Sequence, residues 1–214
     1  MKKITLLLSL LSLLAISCSR DFRSPHGTLK ATVDGQTVSV YCQDVLAATV
    51  HLGLVTAEAD LDSALTFTGS TPKRLINDDY MMKNGKRAHR RNPARQHRLS
   101  YQNPAGDRLD VLIRLYDDGF AFSYLLPGDV ETLEDCSAWQ IPEGKRRWIA
   151  QLKTDYESYY PLATSGKPRT DDPMARFNRN PGSWGFPALY EAADGVFALL
   201  SESDLRHGDS AASL

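Results

Sequence analysis

The chain has 214 residues, 25 basic and 26 acidic, for a formal net charge of −1. This length suits one large domain or one and a half ordinary ones. The ordinary globular composition excludes a disordered or coiled-coil protein, and the near-neutral charge argues against a polyanion partner for the whole molecule. No segment shows sustained helical periodicity and none repeats.

Residues 1–17 read as a signal peptide: Met1-Lys-Lys, an apolar run from Ile4 to Ile16, then Ser17 before Cys18. The run is too short for a permanent bilayer anchor. Removing Lys2 and Lys3 leaves 23 basic against 26 acidic residues, or −3. Leu14-Ala15-Ile16-Ser17-Cys18 resembles a loose bacterial lipobox, which would place lipid on Cys18 and make the lipid the only contact with a membrane. Ordinary cleavage before Cys18, giving a soluble secreted protein, is the other reading. Both export the mature chain, 18–214, to the periplasm or outer membrane, where disulfides persist. Cys42 and Cys136 could pair or stay as two buried thiols.

Thr28–Val33, a turn at Asp34-Gly35 and Thr37–Tyr41 form a first predicted hairpin. Val45–Leu54, broken at Gly53, reads as a strand in preference to a short helix, and Ala57–Ala64 as a connection. Leu65–Thr68 is a further strand. Residues 69–98 read as a long polar loop with a basic cluster (Lys86, Arg87, Arg90, Arg91, Arg95, Arg98). The export signal and the lack of interleaved aromatics make that cluster a solvated surface rather than a nucleic-acid site.

His97–Gln102 and Arg108–Tyr116 are predicted strands joined by a turn at Asn103–Gly106. The pattern is strongest in Asp110–Leu126, where Asp118-Gly119 lies between two alternating apolar runs. A two-residue turn there pairs Leu115 with Phe122, Ile113 with Tyr124 and Val111 with Leu126. All six side chains then share one face, which is core. Cys136–Pro142 and Arg147–Ala150 read as short strands. Tyr156–Tyr160 and Lys167–Trp184 look irregular, and a third hairpin turns at Asp194-Gly195. Short strands at this spacing predict an all-β, antiparallel sandwich or barrel.

Chemistry is hard to find. There is no phosphate loop, no Cys-x-x-Cys and no nucleophile elbow around Ser165, and His89 and His97 lack metal-ligand spacing. Asp117-Asp118 is a carboxylate pair that a turn explains. Tyr156, Tyr159, Tyr160, Trp184 and Phe186 are aromatics that either stack on sugar rings or pack as a lid.

Several segments resemble the N-terminal domain of glycoside hydrolase family 97, exported bacterial α-glucosidases and α-galactosidases. They are Ser24-Pro-His-Gly27 (with His26 for the usual Asp), Leu52-Gly-Leu54, Tyr80 with Gly85-Lys-Arg87, Arg114-Leu-Tyr-Asp-Asp-Gly-Phe-Ala-Phe-Ser-Tyr124, Trp139-Gln-Ile-Pro142, Tyr156-Glu157 and Leu200–Leu205. The resemblance implies a galactose-mutarotase-like β-super-sandwich, C-terminally incomplete here, whose partners are an α-glucoside or α-galactoside oligosaccharide and a barrel domain missing from this sequence. The barrel carries the catalytic carboxylates, and no residue here matches them. The resemblance also implies that Glu202, in a Glu-x-x-Leu segment, is a calcium ligand in the complete enzyme. Two functions follow as expectations. One is the pocket-shaping part of a hydrolase, and the other is a stand-alone exported carbohydrate-binding lipoprotein.

Overall fold

The computed structural model describes residues 20–152, 160–167 and 184–203. In chain order the strands begin with β1 (Arg20–Arg23), β2 (Leu29–Asp34), β3 (Thr37–Cys42), β4 (Val45–His51) and β5 (Leu54–Thr56). The middle of the chain forms β6 (Thr66–Ser70), β7 (Arg74–Met81), β8 (His89–Gln102), β9 (Arg108–Leu115) and β10 (Phe120–Leu125). Then come β11 (Thr132–Asp135), β12 (Ala138–Gln140), β13 (Arg147–Gln151), β14 (Leu162–Ala163), β15 (Trp184–Ala193) and β16 (Val196–Leu200). Every pairing is antiparallel, as the alternating sequence predicts.

One sheet has the order β1-β2-β3-β4-β12 and a second has β10-β9-β8-β6, with β7 also on β8. Their inner faces meet. Alternate residues of β3 (Val38, Val40) and β9 (Val111, Ile113, Leu115) are buried in one cluster with Phe22, Leu99 and Tyr101. A third sheet, β14-β13-β15-β16, has its own smaller cluster of Ile149, Trp184, Ala188, Tyr190 and Leu200. The Tyr190 hydroxyl donates to the Ala47 carbonyl at 2.7 Å and ties this sheet to β4. Trp139 on β12 packs against both clusters.

All three predicted hairpins form. In the first, Asp34 pairs with Thr37, and Gly35 takes the first central position with φ 53°, as a type II′ turn requires. The second differs from expectation by two residues: Phe122 faces Ile113 and Tyr124 faces Val111, and Tyr116 N–H donates to the Gly119 carbonyl. The tip is Asp117-Asp118, neither of which has positive φ. Side chains alternate with period two, so a two-residue shift leaves the same side chains on the core face. Asp117 also accepts from the His26 backbone N–H at 2.9 Å and lies 2.6 Å from its ring Nδ1. That contact clamps the β1–β2 turn and gives the carboxylate pair a structural role.

The predicted loop at 69–98 is instead largely a hairpin. β7 and β8 pair from Arg74–Gln96 out to Met81–His89, whereas the β8–β9 ladder starts only at Arg95. Residues 89–94 therefore have a neighbour on one side only, which is where Pro93, lacking an N–H, is tolerated. Arg91 pairs with Asp79 at 2.9 Å, Arg95 donates to the Pro25 carbonyl at 3.1 Å, and Arg98 pairs with the buried Asp110. Trp184 and Phe186, expected in irregular chain, belong to β15. Cys42 and Cys136 are both free thiols.

Candidate sugar-facing cavity

The β9–β10 hairpin places Phe120, Phe122 and Tyr124 on one face at the end of the sandwich where the third sheet begins. They wall a cavity of about 560 Å³ that Trp139 and Phe186 also border. Its rim carries oxygen groups from Asp135, Ser137 and Glu202. The Phe122 ring meets Tyr124 edge-on at 5.7 Å and Trp139 at 5.9 Å, so the aromatic wall is a packed unit.

Behind that wall runs a chain of hydrogen bonds. Gly53 N–H donates to the Tyr124 hydroxyl at 2.9 Å, and that oxygen lies 2.6 Å from Ser137 Oγ. Ser137 in turn donates its hydroxyl at 2.5 Å and its backbone N–H at 2.9 Å to Asp135 Oδ1. The Tyr124 hydroxyl also donates to the Gly53 carbonyl at 3.1 Å, so it holds that peptide by both its N–H and its C=O. Burial pushes the Tyr124 phenol well above its ordinary range, so it stays protonated. A Cβ at Gly53 would collide with the Asp62 carboxylate and crowd Cys136, so this close approach needs glycine. Burial also raises the Cys136 thiol, with help from Asp62, Glu134, Asp135 and Asp60.

Glu202 is half-buried at the cavity rim, just beyond β16. Calcium takes six to eight oxygen ligands. Among the described residues, no group of three or more His, Cys, Asp or Glu side chains is placed to hold a metal ion. Those residues alone do not make a calcium site. Cys18, Tyr156 and Tyr159 lie outside the described residues, and Tyr160 is exposed. The carboxylates Asp117 and Asp118 sit at the hairpin tip. Tyr124, Asp135 and Ser137 were not singled out as site residues by the sequence. The usable signal was the run of aromatics at i, i+2 and i+4 on β10, more aromatic surface than one hairpin needs for its core face.

A scan against family models matches the glycosyl-hydrolase 97 N-terminal family over residues 22–211. A probable retaining α-galactosidase of Streptomyces bingchenggensis (strain BCW-1) is 32% identical over 167 residues, covering 76% of this chain and 24% of that protein. Among solved structures, a β-arabinopyranosidase superposes with a TM-score of 0.74 at 21% identity, over 87% of this chain and 32% of that one. A family 97 enzyme of Pseudoalteromonas sp. strain K8 in complex with panose gives 0.64 at 14% identity, over 83% and 27%. The chain thus spans about a quarter to a third of the length of these proteins, and the structural matches agree with the antiparallel β-sandwich. This chain belongs to the glycoside hydrolase family 97 N-terminal domains.

Proposed function

We propose that the chain is the carbohydrate-facing, pocket-shaping N-terminal part of an exported glycoside hydrolase acting on α-glucosides or α-galactosides. The observation that carries this reading is the aromatic-walled cavity between the sandwich and the third sheet. Pyranose rings pair an apolar C–H face with a rim of hydroxyls, and the cavity pairs Phe122 and Trp139 with Asp135, Ser137 and Glu202. The retaining α-galactosidase relative and the panose and acarbose complexes of the Pseudoalteromonas enzyme support a sugar ligand. In this reading the acid and base carboxyls of glycoside hydrolysis come from a barrel domain outside this sequence. Glu202 lends one carboxylate to a calcium whose other ligands come from that domain, and lipid on Cys18 holds the mature protein at the membrane.

The test uses the complete enzyme that carries this chain, assayed on nitrophenyl α-glucoside and α-galactoside. Trp139→Phe should raise KM for one of them by about tenfold. An unchanged KM on both substrates overturns the reading. Glu202→Gln should weaken calcium affinity in the same enzyme, and an unchanged calcium titration removes the ligand assignment. Mass spectrometry of the membrane fraction should find a diacylglyceryl-modified Cys18 at the N-terminus, and an unmodified Cys18 on soluble protein rejects the anchor.

A further inference from the structure

The ribbon that leaves the second sheet has a free edge. Among the described residues, β7 has β8 as its only strand neighbour, and it runs eight residues from Arg74 to Met81 without a bulge. Natural edge strands are blunted by being short, by Pro, by Lys or by bulges, and β7 has none of these. Its two carboxylates are answered from within the chain. Asp78 accepts from the Tyr116 hydroxyl at 2.5 Å with Arg114 at 3.8 Å, and Asp79 meets His89 at 2.5 Å and Arg91 at 2.9 Å. Leu75 and Met81 are 70% and 69% exposed, and Tyr80 and Met82 are exposed as well. A two-stranded ribbon is marginally stable by itself in water.

Backbone alternation fixes what the edge offers. Met82 N–H donates to the Ala88 carbonyl at 2.7 Å, so the even positions of β7 bond to β8. Pro93, with no N–H to give, lies opposite Asn77, as that alternation requires. The N–H and C=O groups of Leu75, Asn77, Asp79 and Met81 therefore point outward. A second β7 running antiparallel can bond to them only odd position against odd. Centred on Asp78, all four enter bonded pairs, Leu75 of one copy with Met81 of the other and Asn77 with Asp79. Between these, Ile76 meets Tyr80 in the closer, unbonded pairs. Shifting the pairing by two residues sets Leu75 and Ile76 against carboxylates, or Met81 against Asn77 and Tyr80 against Asp78. The strand is complementary to itself about its own midpoint.

We infer that the outer edge of β7 is a dimerisation surface, on which the β7 of a second copy of this chain pairs antiparallel about a two-fold axis at Asp78. The two ribbons then make one four-stranded sheet. The like charges this brings together are the two Asp78 side chains, each held by its own Arg114, and Lys73 of one copy beside Lys83 of the other.

A small strand interface is weak, so the complete protein that carries this chain is sedimented at about 100 μM, where it should be dimeric. Asn77→Pro removes an outward donor without touching a bond to β8, and should weaken the dimer at least about tenfold. A second test reads the register. Ile76→Cys mixed with Tyr80→Cys should form, on mild oxidation, a disulfide between the two introduced cysteines, identified by peptide mass spectrometry. Unbonded antiparallel pairs have Cα atoms about 4.5 Å apart, within disulfide reach. Neither variant alone should cross-link at its introduced cysteine. Raising salt from about 0.05 to 0.5 M should leave the dimer unchanged or tighten it. A monomeric protein overturns the inference, as does a dimer that Asn77→Pro leaves intact. So does a mixture without the mixed disulfide, or one that cross-links no better than either variant alone. A dimer that salt weakens tenfold also overturns it, and points instead to the basic Lys83–Arg87 turn seated on an acidic surface.

Discussion

The two-sheet sandwich and the β13–β16 sheet reach stability by different means. In the sandwich, two inner faces close on each other, and fifteen described hydrophobic residues form one buried cluster. The β13–β16 cluster has five. Its outer side is roofed by side chains instead: the Arg146 guanidinium lies 5.8 Å from the Trp148 ring and 5.9 Å from the Phe197 ring, and bonds both oxygens of Glu191. Phe197 and Leu199 remain 49% and 63% exposed. Area removed from water is the main source of stabilisation, so the sandwich should be the rigid body. The cavity walled by Phe122 borders Trp139, the side chain that packs against both clusters. The difference teaches that the aromatic-walled cavity lies where a saturated core meets an unsaturated one.

The largest effect should come from breaking the saturated side. Ile113→Ala, at a fully buried position, should cost about 2–5 kcal/mol in urea unfolding. Leu199→Ala should stay within about 0.5 kcal/mol. Equal costs at the two positions would dissolve the comparison. Next comes the seam: Tyr124→Phe strands the Gly53 N–H and should cost about 1–3 kcal/mol. The same variant should speed amide exchange at Gly53 before it affects Ile113.

The third sharpens the contrast by pH. Hydrogen bonds from Arg146 outweigh burial and hold the Glu191 carboxyl below its ordinary value. A lowered carboxyl contributes stability that is complete above the unfolded pKa, about 4.3, and is lost as pH falls through the folded one. The wild type should therefore lose more stability between pH 6 and pH 3 than Glu191→Gln does. Parallel pH profiles would show that the Arg146 roof is ornamental. The smallest effect belongs to the ribbon, where Arg91→Ala should leave the urea midpoint unchanged because its partner Asp79 is exposed.

The legible parts of the fold were those where burial writes an alternation into the sequence. Val111, Ile113 and Leu115 announced the core face, and two-residue periodicity protected that assignment even though the pairing was displaced by two. The β7–β8 ribbon was illegible for the converse reason. It buries little, so Arg74–Met81 and His89–Pro93 carry charge and solvent-facing apolar groups without alternation. What specifies it is pairing, such as Asp79 with His89 and Arg91, and pairing leaves no periodic trace. At the site, the resemblance implied Glu202 as a calcium ligand and drew on Trp139 only as part of a matching segment, and the cavity that both line was not legible. It needs β10, the β11–β12 connection and β15 to converge, and sequence spacing says nothing of that.

The Tyr124 hydroxyl holds one peptide from both sides, accepting from the Gly53 N–H and donating to the Gly53 carbonyl, while Ser137 joins it to Asp135. Asp135 at the cavity rim is thereby linked through two side-chain oxygens to the peptide where β4 gives way to β5. The strand junction on the far side of the aromatic wall is therefore fastened to the rim by hydroxyl groups rather than by ring packing alone.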